Sequence, residues 1–384
     1  MSAGEGKSTA PPLPKKQPDR LYFADNLRTW LIMLVVPTHL AQFYGGVGFY
    51  YVEPPYNNLF AYVVLVFFLL INVAYFMGLL FLISGYFSLP SLARKGPRHF
   101  AKDRLIRLGV PLGVYFFVLN PIAYLSIYAM PASLTHITTP LSWRDYSQLV
   151  GMGPLWFVAM LLIFDIGYAI CWTIRRNRVL QRESRNEPPS YRTMAAFILL
   201  LAVTSYLIRI VIPLGRFVAG FPTISYLPQY LSFFIIGTVA VRHNWFRTVP
   251  KSMGRVGFAL AIVATITLFP LALTGGTRCL GDGYWQSAVY ALWDSIVAVG
   301  MALGLITFFR ERINWSGRVS RFLQRHSYAV YIIHAPIIVF VAIALMGLPL
   351  EHLLKFGLAA VISIPLCFAT AYLVLKIPFA SEVL

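Results

Sequence analysis

Arg28 and His39 stand eleven residues apart in one apolar run, RTWLIMLVVPTH. An α-helix turns about 100° per residue, so eleven residues bring a side chain back to within about 20° of its starting direction, about 16 Å further along the axis. One helix face therefore carries a fixed cation at one depth and a titratable base at another. Arginine holds phosphate or carboxylate in a planar fork, and histidine moves protons near neutral pH. A structural reading stands beside the chemical one. In it Arg28 snorkels to an interface and His39 is an ordinary interhelical hydrogen-bonding residue. The spacing alone leaves both open.

A second group of residues falls at matching depths. The segment FLISGYF puts Ser84 near the end of the second apolar run, at about the depth of Arg28, with Gly85 beside it. Ser84 lacks the Gly-x-Ser-x-Gly elbow of a hydrolase nucleophile, and close helix packing at Gly85 is the plainer role. Arg104 and Arg107, in RLIR, are three residues apart and share a helix face at the mouth of the third run. They suit either anchoring at the bilayer surface or a phosphate-bearing ligand. Trp156 opens the fourth run in GPLWF, where a tryptophan commonly anchors an interface. Asp165, Arg209, Asp294 and His334 lie within apolar runs, where an ionisable group is costly and so marks a functional candidate. Either carboxylate could orient His39 or pair with Arg209. Cys171, Cys279 and Cys367 are far apart and form no metal or disulfide pattern.

These residues need elements to hold them, and the composition says which. The chain is 58% hydrophobic and 12% charged, far from the quarter charged that is usual for soluble domains. The apolar runs are continuous rather than alternating, which excludes a barrel and leaves closed helices of about 20 residues. The expected fold is an all-α polytopic bundle of about ten transmembrane helices, near residues 21–44, 59–88, 104–128, 154–175, 193–213, 224–241, 255–274, 285–308, 326–346 and 353–375. The net charge of +18 sits in short clusters between these runs, without the stripe or fold of a nucleic-acid binder. Of 32 Lys and Arg residues, 26 fall in the N-terminal segment, in 94–107, 175–192, 242–255 and 310–325, and at Lys376. The positive-inside rule then puts both termini in the cytoplasm. Residues 1–20 read as a disordered cytoplasmic tail without a signal peptide, residues 21–376 as one membrane domain, and residues 377–384 as a short cytoplasmic tail.

Taken together, the motifs resemble integral-membrane acyltransferase family three, the acyl-coenzyme-A-dependent O-acyltransferases, and within it the glucan biosynthesis protein C group. The resemblance rests on Arg28 to His39, on FLISGYF, on RLIR at Arg104 and Arg107, on GPLWF, and on YAVYIIHAP at His334, in order along nearly the whole chain. It departs in showing no fused extracytoplasmic domain, which leaves the acceptor unassigned. The resemblance implies acyl transfer from a cytosolic acyl-CoA to a hydroxyl of an extracytoplasmic or membrane-linked carbohydrate, in a multi-pass protein of the inner (plasma) membrane. It implies His39 and Arg28 as catalytic residues and Arg104, Arg107 and Ser84 at the donor. Trp156, Asp165, Asp294 and His334 would line the site. Acyl-CoA is a co-substrate, with no bound cofactor and no metal; the other partners are the acceptor and the lipid bilayer. A secondary transporter, or a flippase for a lipid-linked sugar, would also bury charges near the midplane, although two related halves with broken helices are not evident.

Overall fold

The computed structural model describes residues 20–46, 50–51, 58–130, 142–179 and 187–384. The expected N-terminal tail up to residue 19, and the central parts of the loops 130–153 and 175–192, lie outside them. Ten long helical elements run through the described residues: α1 (Tyr22–Tyr44), α2 (Leu59–Lys95), α3 (Pro97–Ser126), α4 (Trp156–Val179), α5 (Tyr191–Val211), α6 (Leu227–Arg242), α7 (Lys251–Leu273), α8 (Trp285–Arg312), α9 (Arg318–Met346) and α10 (His352–Val374). A short α11 (Pro378–Val383) follows.

Among the described residues, nine of these helices are long and apolar enough to cross a bilayer. The exception is α1, which has 23 residues but carries Asp25, Arg28 and His39 along with several uncharged polar groups. Its lower apolarity reflects position. Leu27, Leu31, Leu40 and Ala41 are wholly buried, and its neighbours are α2, α8, α9 and α10. It is shielded from lipid by protein, so its polar groups meet partners rather than hydrocarbon. The same logic separates centre from rim. In their most apolar stretches, α8 and α9 are 72% buried, against 22% for α5 and 28% for α7 and α10, whose apolar side chains face outward.

Several boundaries have simple causes. The side chain of Asn58 accepts a bond from the Ala61 amide and caps the start of α2. That helix has 37 residues, about 55 Å at 1.5 Å per residue, so it overshoots a hydrocarbon core of about 30 Å and carries Arg94 and Lys95 beyond it. Gly96, at φ +74°, then turns the chain directly into α3, which begins at Pro97, earlier than the sequence suggests. Two π-helical turns interrupt α3, at Leu105–Gly109 and Tyr115–Leu119. Such turns shift side-chain register and are frequent at functional sites. Gly85 of α2 and Gly237 of α6 let two backbones touch. A Cβ at Gly85 would lie 2.1 Å from the Phe234 carbonyl oxygen, and one at Gly237 would lie 2.2 Å from that of Leu82.

A polar clamp fixes α1 to α9. The Asn26 amide nitrogen donates to the carbonyls of Ile313 and Trp315, at 2.8 and 2.9 Å. Its oxygen accepts from Ser320 Oγ at 2.6 Å and Gln324 Nε2 at 2.7 Å. One side chain thus uses its full bonding capacity, and two of its partners, Ser320 and Gln324, are themselves buried. Removing it takes one bond from each of four polar groups, two of them on buried side chains. Asn26→Ala should therefore cost about 3 kcal/mol or more. Asn26→Asp, which keeps the acceptor and loses both donors, should cost less. Thermal unfolding of purified protein checks this, and an unshifted Tm for Asn26→Ala would remove the clamp from the account.

Candidate active site

The α1–α9 seam carries two polar centres, one at each level of the register expected for Arg28 and His39. Helix directions alternate, so the starts of α1, α3 and α9 share one end of the bundle with the close of α2. This is the basic end.

At the basic end lies a cavity of about 310 Å³. Arg28 lines it from α1, Ser84 from α2, and Arg104 and Arg107 from the first turns of α3. The three residues expected at the donor therefore share one space with Arg28, which was expected as a catalytic residue. Asp165 of α4 forms part of the wall, and α9 adds Gln324, Arg325, Tyr328 and Tyr331. Val383 and Leu384 close another side, so the residues expected as a simple tail form a short helix that reaches the cavity.

The charges are not balanced inside this space. Arg28, Arg104, Arg107 and Arg325 face it with one lining side-chain carboxylate, Asp165. That carboxylate belongs to Arg104. Its Oδ2 lies 3.0 Å from Arg104 Nε, an ion pair whose N–H is not aligned as a hydrogen bond. Its Oδ1 accepts from Ser88 Oγ at 2.7 Å. Arg104 is fixed from behind by this contact, since Asp165 is fully buried. Arg28 leans on Asp25 at 3.7 Å and Arg107 on Asp103 at 3.4 Å. Both remain substantially exposed, at 43% and 58% of the side chain, and so are free to swing toward a ligand. The Tyr328 hydroxyl donates to the Arg107 carbonyl at 2.7 Å. That carbonyl lies in the first π turn, so α9 fastens the displaced register that presents Arg104 and Arg107.

Deeper along the seam, His39 meets His334. Their ring centroids are 5.1 Å apart, with planes inclined by 51°. His39 Nδ1 lies 2.9 Å from the Val35 carbonyl, and His334 Nδ1 lies 2.6 Å from that of Tyr331. A carbonyl only accepts, so in each neutral ring Nδ1 holds the hydrogen and Nε2 keeps the lone pair. His334 is wholly buried and its Nε2 has no partner. Each histidine sits two residues from a proline inside its helix, Pro37 and Pro336, where a missing amide loosens the backbone ladder. Tyr331 joins the two levels. It lines the cavity, its ring lies 5.8 Å from that of His334, and its hydroxyl donates to the Pro154 carbonyl at 2.6 Å.

Trp156 and Asp294 do not line this cavity. Trp156 stacks on Tyr230 with centroids 5.5 Å apart, and Asp294 pairs with Arg209, Nη2 to Oδ2, at 2.5 Å. The bonds made by His39 and His334 run to backbone carbonyls, so the two carboxylates considered as partners for His39 serve arginines instead. Buried arginine is the more demanding neighbour, because its charge cannot be discharged. Sequence reasoning missed Gln324 and Arg325, and held Tyr328 and Tyr331 only as letters of the YAVYIIHAP motif, with no place at the site. The signal was present in their spacing, since 324, 328 and 331 recur at helical intervals four and three residues apart, on the face that His334 continues.

Comparison with known proteins agrees with this constellation. A family model described as an acyltransferase domain matches residues 21–372. Glucans biosynthesis protein C of Salmonella typhi is 25% identical over 338 residues, covering 84% of this chain and 83% of that protein. Its counterpart in Escherichia coli strain K12 is 24% identical over 339 residues, with the same coverage. A polytopic helical membrane protein whose matched region takes in the cavity's four arginines and the histidine pair, this chain belongs to the acyltransferase family.

Proposed function

We propose that this acyltransferase takes its acyl group from a coenzyme A thioester in the cytosol and passes it to a hydroxyl of a carbohydrate on the other side of the plasma membrane, with His39 as the general base. The observation that carries the reading is the juxtaposition on one seam: a cavity with four arginines at one level and a histidine pair with unprotonated Nε2 atoms at the next. Coenzyme A is a polyanion at one end and reactive at the other. Its phosphates match Arg28, Arg104, Arg107 and Arg325, because charge-assisted bonds from guanidinium to phosphate are strong and directional. Arg28 and His39 are separated by about 16 Å along α1, which suits a donor whose phosphates and thioester lie far apart. The relatives' printed names concern glucans, which favours a sugar hydroxyl as acceptor.

The chemistry follows from that placement. A hydroxyl is a weak nucleophile until its proton is removed. His39 Nε2 takes the proton as the oxygen attacks the thioester carbonyl carbon. The tetrahedral intermediate collapses, the carbon–sulfur bond breaks, and the thiolate leaves with the proton returned from the imidazolium. His334, packed beside His39 with a free Nε2 lone pair, keeps the neighbourhood receptive to that proton.

The sidedness is open to direct measurement. Single cysteines at residues 98 and 178 should resist a membrane-impermeant thiol reagent added to sealed cells, and cysteines at 278 and 284 should react. Strong labelling at 178 from outside would invert the arrangement.

Kinetics separate the two levels. Arg107→Gln should raise the KM for acyl-CoA about tenfold, the scale of one lost charge-assisted bond, with kcat nearly unchanged. His39→Ala should lower kcat at least about a hundredfold with little change in donor KM. If both variants moved the same constant, the division into a donor level and a chemical level would be wrong.

A further inference from the structure

The buried pair Arg209–Asp294 lies at the end of the bundle opposite the basic cavity, near the close of α5 and the early turns of α8. It is surrounded by aromatic rings. The Arg209 guanidinium carbon lies 4.9 Å from the centre of the Tyr226 ring and 5.6 Å from that of Tyr290. Tyr226 stacks on Tyr230 with centroids 5.8 Å apart, and Tyr230 stacks on Trp156 at 5.5 Å. The ladder thus begins at the residue next to Phe157, which lines the donor cavity and packs edge-on against Tyr331.

This cluster is unusually rich in polar atoms with nothing to bind. Arg209 is fully buried, yet Nε and Nη1 lack partners. The hydroxyl of Ser287, a wholly buried residue, is also unpartnered, and that of Tyr230, equally buried, meets only the hydroxyl of Thr223. Ser287, Tyr290 and Asp294 recur at helical spacing and share one face of α8. An orphaned buried polar group is destabilising, so several in one place are a standing cost unless something supplies their bonds. The net charge specifies what. Asp294 already offsets Arg209, so the cluster asks for hydrogen bonds and no further anion. Stacked aromatic faces beside neutral donors and hydroxyls match a polyhydroxylated ring.

We infer that Arg209, Asp294, Tyr226, Tyr230, Ser287 and Tyr290 form an acceptor subsite for a neutral carbohydrate, reached along the ladder from the histidine pair. The inference rests on the acyl-transfer reading for its purpose but not for its detection. A site built to bond a ligand's hydroxyls gains its selectivity because poor ligands leave those groups unpaired.

The orphaned atoms make the test clean. Ser287→Ala removes a hydroxyl that bonds nothing in the protein, and Tyr230→Phe keeps the stack while removing a hydroxyl whose one protein neighbour is that of Thr223. A purely structural cluster, or one satisfied by water, has little to lose from either change. A neutral linear glucose oligomer, titrated calorimetrically into the full-length protein in nanodiscs, is the probe. Wild type should bind it, each variant should bind about tenfold more weakly, and both variants should keep the wild-type Tm and coenzyme A affinity. Undiminished sugar binding in both variants, or no binding by wild type, would overturn the inference. Sugar binding that behaves as expected in a protein that transfers no acyl group would overturn the acyl-transfer reading and leave the subsite standing.

Discussion

Asn26 holds the two helices on which everything else is arranged. Its amide closes four hydrogen bonds between the start of α1, the 313–315 turn and the first turns of α9. Arg28 lies two residues beyond it, and Gln324, one of its partners, lines the same cavity as Arg28. From that fixed point both helices run in parallel register, and the register brings His39 against His334. A slip of one residue would rotate α1 by about 100° and carry the base away from its neighbour. The clamp also explains why α1 tolerates a polar sequence. It is a central strut whose polar groups have partners, with lipid kept off by α2, α8, α9 and α10.

Charge in hydrocarbon is resolved in two ways, and the difference separates support from function. Arg209 is paired with Asp294, and Arg104 is held by Asp165 and Ser88. Arg28, Arg107 and Arg325 instead face an open cavity. The first kind fixes geometry. The second kind, with Arg28 and Arg107 only loosely paired with Asp25 and Asp103, keeps a positive potential that a polyanion can neutralise.

Much of the site was legible in the sequence because it is written in local spacing. The interval of eleven residues between Arg28 and His39 set their common face, and that face is the one that meets α9. Ser84, Arg104 and Arg107 were expected at the same depth and share a cavity. What local spacing could not supply was partner choice across distant segments. Asp165 and Asp294 each had several possible partners, and packing assigned both to arginines. The clamp at Asn26 joins residues nearly three hundred positions apart, and a lone asparagine near a helix start gives no hint of it. The π turn that carries Arg107 leaves no mark on periodicity. The span count shows the same limit. Hydropathy alone undervalues α1, because it scores polar side chains as though lipid surrounded them.

The central claim is that the arginine cavity reads the phosphates of a coenzyme A thioester. Its most direct test is equilibrium binding of coenzyme A, dephospho-coenzyme A and pantetheine to the purified protein and to Arg325→Gln. Affinity should fall in that order as phosphates are removed, and Arg325→Gln should weaken coenzyme A about tenfold while leaving pantetheine unchanged. Equal affinity for all three ligands, or a variant that binds coenzyme A as tightly as the wild type, would contradict the account.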